Sequence, residues 1–245
     1  MNDYFSASIN VPPFQEFSVS HIAALAILTV FTAGLTIWFS KCKEKRSVDH
    51  YFRYFFAVFL LLNEIAPLFW CMAAGLFTLD YALPLQLCDV VAFLSFAMLI
   101  GGNKTVFELV YFLGLGGSLQ ALLTPDLYYP FPHFMFFNFF VGHGCIVIAV
   151  LYMTAAKGYR PALKSIGKVF LYTNLYAVFV AVVNAATGGN YLFLCAKPED
   201  PSLIDFLGPW PWYILSLEGI LLVTCLVLYL PFAIKKPREE SCKNS

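Results

Sequence analysis

Cys88 and His143 are the two side chains whose type and placement suit nucleophilic catalysis. Cys88 sits in Leu83-Pro84-Leu85-Gln86-Leu87-Cys88-Asp89, and His143 in Gly142-His143-Gly144. Counted from Ala82, Cys88 lies ~9 Å into its segment, and His143 lies ~14 Å from Phe134, at ~1.5 Å per helical residue. A thiol and an imidazole at similar depth could act as nucleophile and base. Gln86 and Asp89, three apart, share a helix face, and Cys88 lies about 100° from Asp89, so all three could line one cavity. The glycines flanking His143 leave room for a bulky substrate or a close helix. A lone cysteine is also common apolar filler, and six others are scattered through the chain.

Other polar groups accompany this pair inside apolar segments. Glu64, Asp89, Glu108 and Glu218 are the acids, and Asn63, Gln86, Gln120, Asn138, Asn174 and Asn184 the amides. Ionisable groups in such segments usually face a bundle interior or a cavity, while amides also serve as interhelical glue. Glu108, near the inner surface, is expected to snorkel or to pair with Lys104 at i, i+4. Pro84 suits a first helical turn. Gly114 and Ser118 read as close helix packing. No Cys or His spacing suits a metal, and no cofactor is expected. His21 and His133 fall at one interface and His50 at the other, so they form no set with His143. Two loop blocks, around Pro130-Phe131-Pro132-His133-Phe134 and Gly208-Pro209-Trp210-Pro211-Trp212-Tyr213, read as an aromatic belt or as a rim over a cavity mouth.

The elements that must position these groups follow from composition. The 245 residues are 60% hydrophobic, 18% aromatic and 12% charged, far from the ~25% charged of soluble domains. Fifteen basic residues balance fifteen acidic ones, which disfavours nucleic acid as a partner. About 20 apolar residues cross a bilayer as a helix. Seven stretches fit: approximately His21–Ser40, Phe52–Gly75, Ala82–Gly101, Thr105–Thr124, Phe134–Ala156, Ser165–Gly188 and Trp212–Ile234. The expectation is an all-α polytopic bundle of seven transmembrane helices with the N-terminus outside and the C-terminus inside. That orientation puts every Lys and Arg except Lys197 inside, and Asp3, Glu16, Asp80, Asp126, Glu199, Asp200 and Asp205 outside. Residues 1–20 read as a short external tail touching the membrane through Phe14 and Phe17, residues 21–234 as one membrane domain, and residues 235–245 as a basic cytoplasmic tail. Membrane lipids are the expected partners.

Several blocks carry a family resemblance. They are Leu83 to Cys88, Gln120-Ala121-Leu122-Leu123-Thr124-Pro125, Pro130 to Phe134 with His143-Gly144, Asn190-Tyr191-Leu192-Phe193-Leu194, and Gly208 to Tyr213. Over roughly Asn63 to Tyr229 the chain resembles the bacterial YwaF-like integral membrane proteins and, with them, the eukaryotic transmembrane protein 164 family. The resemblance implies a bacterial plasma-membrane protein and a cysteine-dependent acyl transfer from a phospholipid to a lyso-ether phospholipid, with Cys88 at the position of the catalytic cysteine. The related androgen-induced-gene lipid hydrolases pair a threonine with a histidine, which implies His143 as base. Gln86, Gln120 or Asn138 would bind the oxyanion, Asp89 would orient His143 or repel the thiolate, and Trp210 and Trp212 would rim the substrate site. The acceptor, a lysolipid or water, decides transferase from hydrolase. The competing class is a non-enzyme: a small-solute or ion-coupled transporter, or a lipid-binding membrane protein. A thiol of unusual reactivity at Cys88 favours the enzyme; buried acids without one favour transport.

Overall fold

The computed structural model describes residues 4–8, 10–41, 46–198 and 203–234, and the described residues are helical with no strand. The seven helices are α1 (Val19–Lys41), α2 (Arg46–Ala74), α3 (Leu87–Gly101), α4 (Lys104–Leu123), α5 (Phe134–Ala155), α6 (Leu163–Thr187) and α7 (Trp212–Ile234). Six are long and apolar enough to span a bilayer. The exception is α3, which has 15 residues and rises only ~22 Å against the ~30 Å of a hydrocarbon core. The expected third span therefore corresponds to a shorter helix.

The shortening has a local cause. Pro84 does not open the helix. It lies in a turn, and Gln86 takes the N-cap position with φ −67° and ψ 159°. The carboxylate of Asp89 accepts the Gln86 N–H at 2.8 Å, which fixes the helix start at Leu87. At its other end α3 stops at Gly102, whose φ of 62° is left-handed and suits glycine. Arg53 of α2 caps that end by donating to the carbonyls of Leu99 (2.7 Å) and Ile100 (3.0 Å).

The core lies where α3, α4 and α5 meet between α1, α2 and α7. α4 contains a π turn at Val110–Gly114 and is buried along most of that turn. Gly114 permits the approach: a Cβ there would come 2.9 Å from Ile146 Cγ2 of α5 and 3.3 Å from Val91 Cγ1 of α3. Ser118, four residues on, is buried, as expected of close packing at this stripe. Glu108 is 1% exposed and pairs with Lys168 of α6 at 2.6 Å, not with Lys104 of its own helix.

The N-terminal tail folds back onto one end of the bundle, hereafter the tail end. Tyr4 O accepts from Phe134 N (2.8 Å), Phe5 O from Trp70 Nε1 (3.1 Å) and Ala7 O from the Tyr129 hydroxyl (3.0 Å). Phe14 packs beside His21, Phe136 and Phe140, so it belongs to the bundle, whereas Phe17 is exposed as expected. His133 joins the tail to α5. Its Nδ1 accepts the Met135 N–H at 3.1 Å, its Nε2 donates to Ser6 O at 3.1 Å, and Tyr129 stacks on its ring. Residues 235–245, and with them Lys235, Lys236, Arg238 and Lys243, lie outside the described residues, as do Asp3, Cys42, Lys43, Lys45, Glu199 and Asp200.

Candidate functional site

Cys88 is the second residue of α3, inside the turn that Asp89 caps. Cys88 thus lies in the first turn, at the positive end of the helix, where Gln86 and Asp89 form a capping box. Gln86, one step outside, turns its Oε1 to the N–H of Leu192 at 3.0 Å.

His143 lies midway along α5. Its Nδ1 is 2.8 Å from the carbonyl of Phe139. A carbonyl only accepts, so Nδ1 carries the proton and the neutral ring presents Nε2 as a lone pair. That Nε2 is buried and has no hydrogen-bond partner. Phe139, not Asp89, orients the imidazole: its carbonyl takes the Nδ1 proton, while Asp89 Oδ2 accepts the Gln86 N–H. The glycines beside His143 admit helices. A Cβ on Gly142 would stand 2.6 Å from Asn63 Nδ2 of α2, and one on Gly144 would stand 2.8 Å from Leu28 Cδ2 of α1.

Register relates the thiol to the imidazole. Val91 and Ile146 both bear on the empty side of Gly114. Cys88 precedes Val91 by three residues and His143 precedes Ile146 by three, one helical turn in each case. α3 and α5 both run away from the tail end, so that turn, ~4.5 Å, leads in the same direction on both. Cys88 and His143 therefore lie at a similar depth from the tail end. No hydrogen bond joins them, since Nε2 is unpartnered.

The other expected site residues divide. Gln86 and Asp89 belong to the Cys88 turn. Asn138 does not offer its amide: Asn138 Nδ2 donates to Asn63 O at 2.6 Å, and Asn63 Nδ2 returns a bond to Asn138 O at 3.2 Å. Gln120 is exposed and donates to Thr124 of its own turn at 2.6 Å. Trp210 and Trp212 are 60% and 65% exposed, and Trp210 Nε1 donates to Leu194 O at 3.0 Å.

Tyr191 is the residue whose part the sequence did not disclose. Buried at the tail end, it accepts the N–H of Leu83 (3.0 Å) and donates to Leu79 O (2.9 Å). The Asn184 amide brackets its backbone, and the Tyr176 hydroxyl donates to Leu85 O at 2.9 Å. Leu192 (φ 58°) and Phe193 (φ 51°) are left-handed without being glycine, a strain of about 1–3 kcal/mol each. Gln86 and the Tyr213 hydroxyl, which donates to Phe193 O, hold them there. Three blocks far apart in sequence thus form one cap over the start of α3.

An apolar groove of about 620 Å³ runs along α2, walled by Ala66, Phe69, Trp70 and Ala73 and closed at the tail end by Phe5 and Phe134. Among the described residues no cluster of His, Cys, Asp and Glu could hold a metal ion.

A helical bundle with six apolar helices long enough to span a bilayer is an integral membrane protein. The chain belongs to the TMEM164 family, whose family model matches residues 16–229. No curated protein and no solved structure matches it.

Proposed function

We propose that the chain is a cysteine-dependent lipid acyltransferase or hydrolase that acts on phospholipid acyl esters within the bilayer. The observation that carries this reading is the buried, unpartnered Nε2 of His143, in its basic tautomer at the level of Cys88. A buried acceptor without a donor is costly, and a free imidazole lone pair is what a general base must offer.

The chemistry uses this chain's own groups. The Cys88 sulfur attacks the ester carbonyl carbon while His143 Nε2 takes the thiol proton. The oxyanion forms at the positive end of α3 and against the Gln86 side-chain N–H, since Asn138 and Gln120 are engaged elsewhere. Collapse breaks the ester C–O bond, and the departing lysolipid oxygen takes the proton from Nε2. An acyl thioester remains on Cys88. An acceptor hydroxyl, of a lysolipid or of water, then attacks the thioester, its proton passes to Nε2 and on to the departing sulfur, and the enzyme is restored. The apolar groove on α2 suits the acyl chain of a lipid arriving from the side. The charge split supports seven spans with the N-terminus outside, hydropathy a membrane domain over residues 21–234, and the resemblance to the bacterial proteins a bacterial plasma membrane as the site of action.

The test is labelling in detergent with a long-chain chloroacetamide. Wild type, Cys88→Ala and His143→Ala are compared and the label is mapped. Label confined to Cys88 and lost without His143 supports the reading. Label spread over several cysteines, or indifferent to His143, overturns it.

A further inference from the structure

Leu192 and Phe193 hold left-handed backbone angles, φ 58° and 51°, although neither is glycine, and the acyl-transfer steps give this turn no part. Such strain persists only where surrounding bonds hold it, and it gathers at functional sites. The bonds are present. Asn184 Oδ1 accepts the Tyr191 N–H at 2.9 Å, and Asn184 Nδ2 donates to Tyr191 O at 3.0 Å. The Tyr213 hydroxyl donates to Phe193 O, and Asn190 Oδ1 accepts the N–H groups of Cys195 (3.0 Å) and Ala196 (3.1 Å). What the turn presents to α3 is the Leu192 N–H, which donates to Gln86 Oε1 at 3.0 Å.

That bond settles which way the Gln86 amide points. The two ends of a side-chain amide have the same shape and opposite roles, since the oxygen accepts and the nitrogen donates. A backbone N–H only donates, so it takes Oε1 and leaves the Nε2 hydrogens turned away from the loop. With the amide reversed, two donors would meet at Leu192. Gln86 is the N-cap of the helix that carries Cys88, two residues before the thiol.

We propose that the Leu192–Phe193 turn is a positioning element for the reaction: its Leu192 N–H holds the Gln86 amide with the N–H donors, not the oxygen, available to the oxyanion. The proposal rests on the acyl-transfer reading above. Leu192 acts through its backbone and through Gln86 and does not touch the substrate. Its left-handed φ is required, and its side chain is not.

The test compares two reactions of Cys88 in purified full-length protein in detergent. Acylation by p-nitrophenyl palmitate develops an oxyanion; alkylation by the long-chain chloroacetamide, a displacement at a saturated carbon, does not. Leu192→Gly and Leu192→Asn, which accept a left-handed φ, should acylate within about threefold of wild type. Leu192→Val, whose branched side chain disfavours that φ, should acylate about tenfold more slowly, and Gln86→Met, which loses the donor itself, about 100-fold more slowly. Alkylation should stay within about threefold of wild type in all four, because no oxyanion forms. Adding Leu192→Val to Gln86→Met should slow acylation no further, since the turn acts only through the amide. Should Leu192→Val fail to fold, Tyr213→Phe, which releases Phe193 O, takes its place in the comparison. Wild-type acylation by Leu192→Val, an equal loss in Leu192→Gly, or an undiminished effect in the Gln86→Met background overturns the proposal. If wild type is acylated no faster than Cys88→Ala, the acyl-transfer reading falls. Melting temperatures of the same four proteins of the Leu192→Val and Gln86→Met cycle then still decide whether the turn holds Gln86: a double variant that loses less than the sum supports the bond, and additive losses refute it.

Discussion

Asn63 and Asn138 each donate a side-chain N–H to the backbone carbonyl of the other, at 3.2 Å and 2.6 Å, tying α2 to α5 beside the candidate site. Both bonds are interhelical, and neither carbonyl could find water inside a bilayer. Asn63→Ala and Asn138→Ala should each lower stability by about 1 kcal/mol. The double variant should lose about the sum, because each side chain donates to a backbone carbonyl that alanine at the other position leaves in place. Thermal denaturation of the four proteins in one detergent measures this, and a double variant no less stable than either single one would contradict two separate bonds.

Gly142 should tolerate alanine less well than Gly144, although both flank His143. A Cβ on Gly142 meets Asn63 Nδ2 at 2.6 Å, and that amide is fixed by its bond to Asn138. A Cβ on Gly144 meets the far end of Leu28 at 2.8 Å, a side chain free to swing. Gly167→Ala and Gly219→Ala, with nothing within 4 Å, should be neutral or gain up to ~1 kcal/mol of helix propensity. Melting temperatures should therefore rank the Gly142 variant lowest. Equal losses at 142 and 144 would mean that Asn63 yields as readily as Leu28.

Much of the fold was legible from hydropathy, because span length is set by the bilayer and not by tertiary partners. Six of seven expected stretches are long apolar helices. The third is shorter than hydropathy alone suggests, because Pro84 suits either a first helical turn or the turn before one. The Asp89 cap on Gln86 decides between them, and Gln86 is in turn held by Leu192, which is remote in sequence. Glu108 failed in the same way. Its i, i+4 neighbour Lys104 was visible, while Lys168 came from another helix. The Cys88 turn and His143 were legible as residue types out of place in lipid. The engagement of Asn138 and Gln120 was not, since an amide looks the same in sequence whether it is free or bonded.

His133 should make the tail end acid-sensitive. Burial holds its imidazole below the ordinary value of 6.5, against the opposing effect of its bond to Ser6 O. The folded state thus favours the neutral ring, whose Nδ1 accepts the Met135 N–H. Below about pH 6.5 the unfolded chain binds the proton first, so stability is full above that value and is lost as pH falls toward the lower folded value. Wild type should lose melting temperature between pH 7 and pH 5, and His133→Asn, which can still cap α5, should lose less. Identical pH profiles would remove His133 from the account.

The α2 groove predicts a dependence on chain length. Ala66 and Ala73 lie on one stripe of its wall, so Ala66→Trp or Ala73→Trp should fill part of its 620 Å³. If an acyl chain occupies the groove, labelling of Cys88 by a long-chain chloroacetamide should fall severalfold in both variants, while a short-chain probe should react as with wild type. A parallel loss of both probes would point to damage at Cys88 itself, and no loss of either would place the chain elsewhere.

Lys168 and Glu108 offer the clearest test of a buried charge. Glu108 is 1% exposed, while the Lys168 side chain retains 37% exposure. Removing the lysine strands a carboxylate among Phe107, Leu109 and Val110, all buried. Lys168→Met should therefore destabilise by up to about 3 kcal/mol, the lower end of the range for a fully buried pair. Glu108→Gln with Lys168→Met should recover most of that loss, because no ion is left to desolvate. Lys104→Met should change little, since Lys104 is not the partner. If Lys104→Met costs as much as Lys168→Met, the i, i+4 pairing expected from sequence would be the one that operates in the membrane.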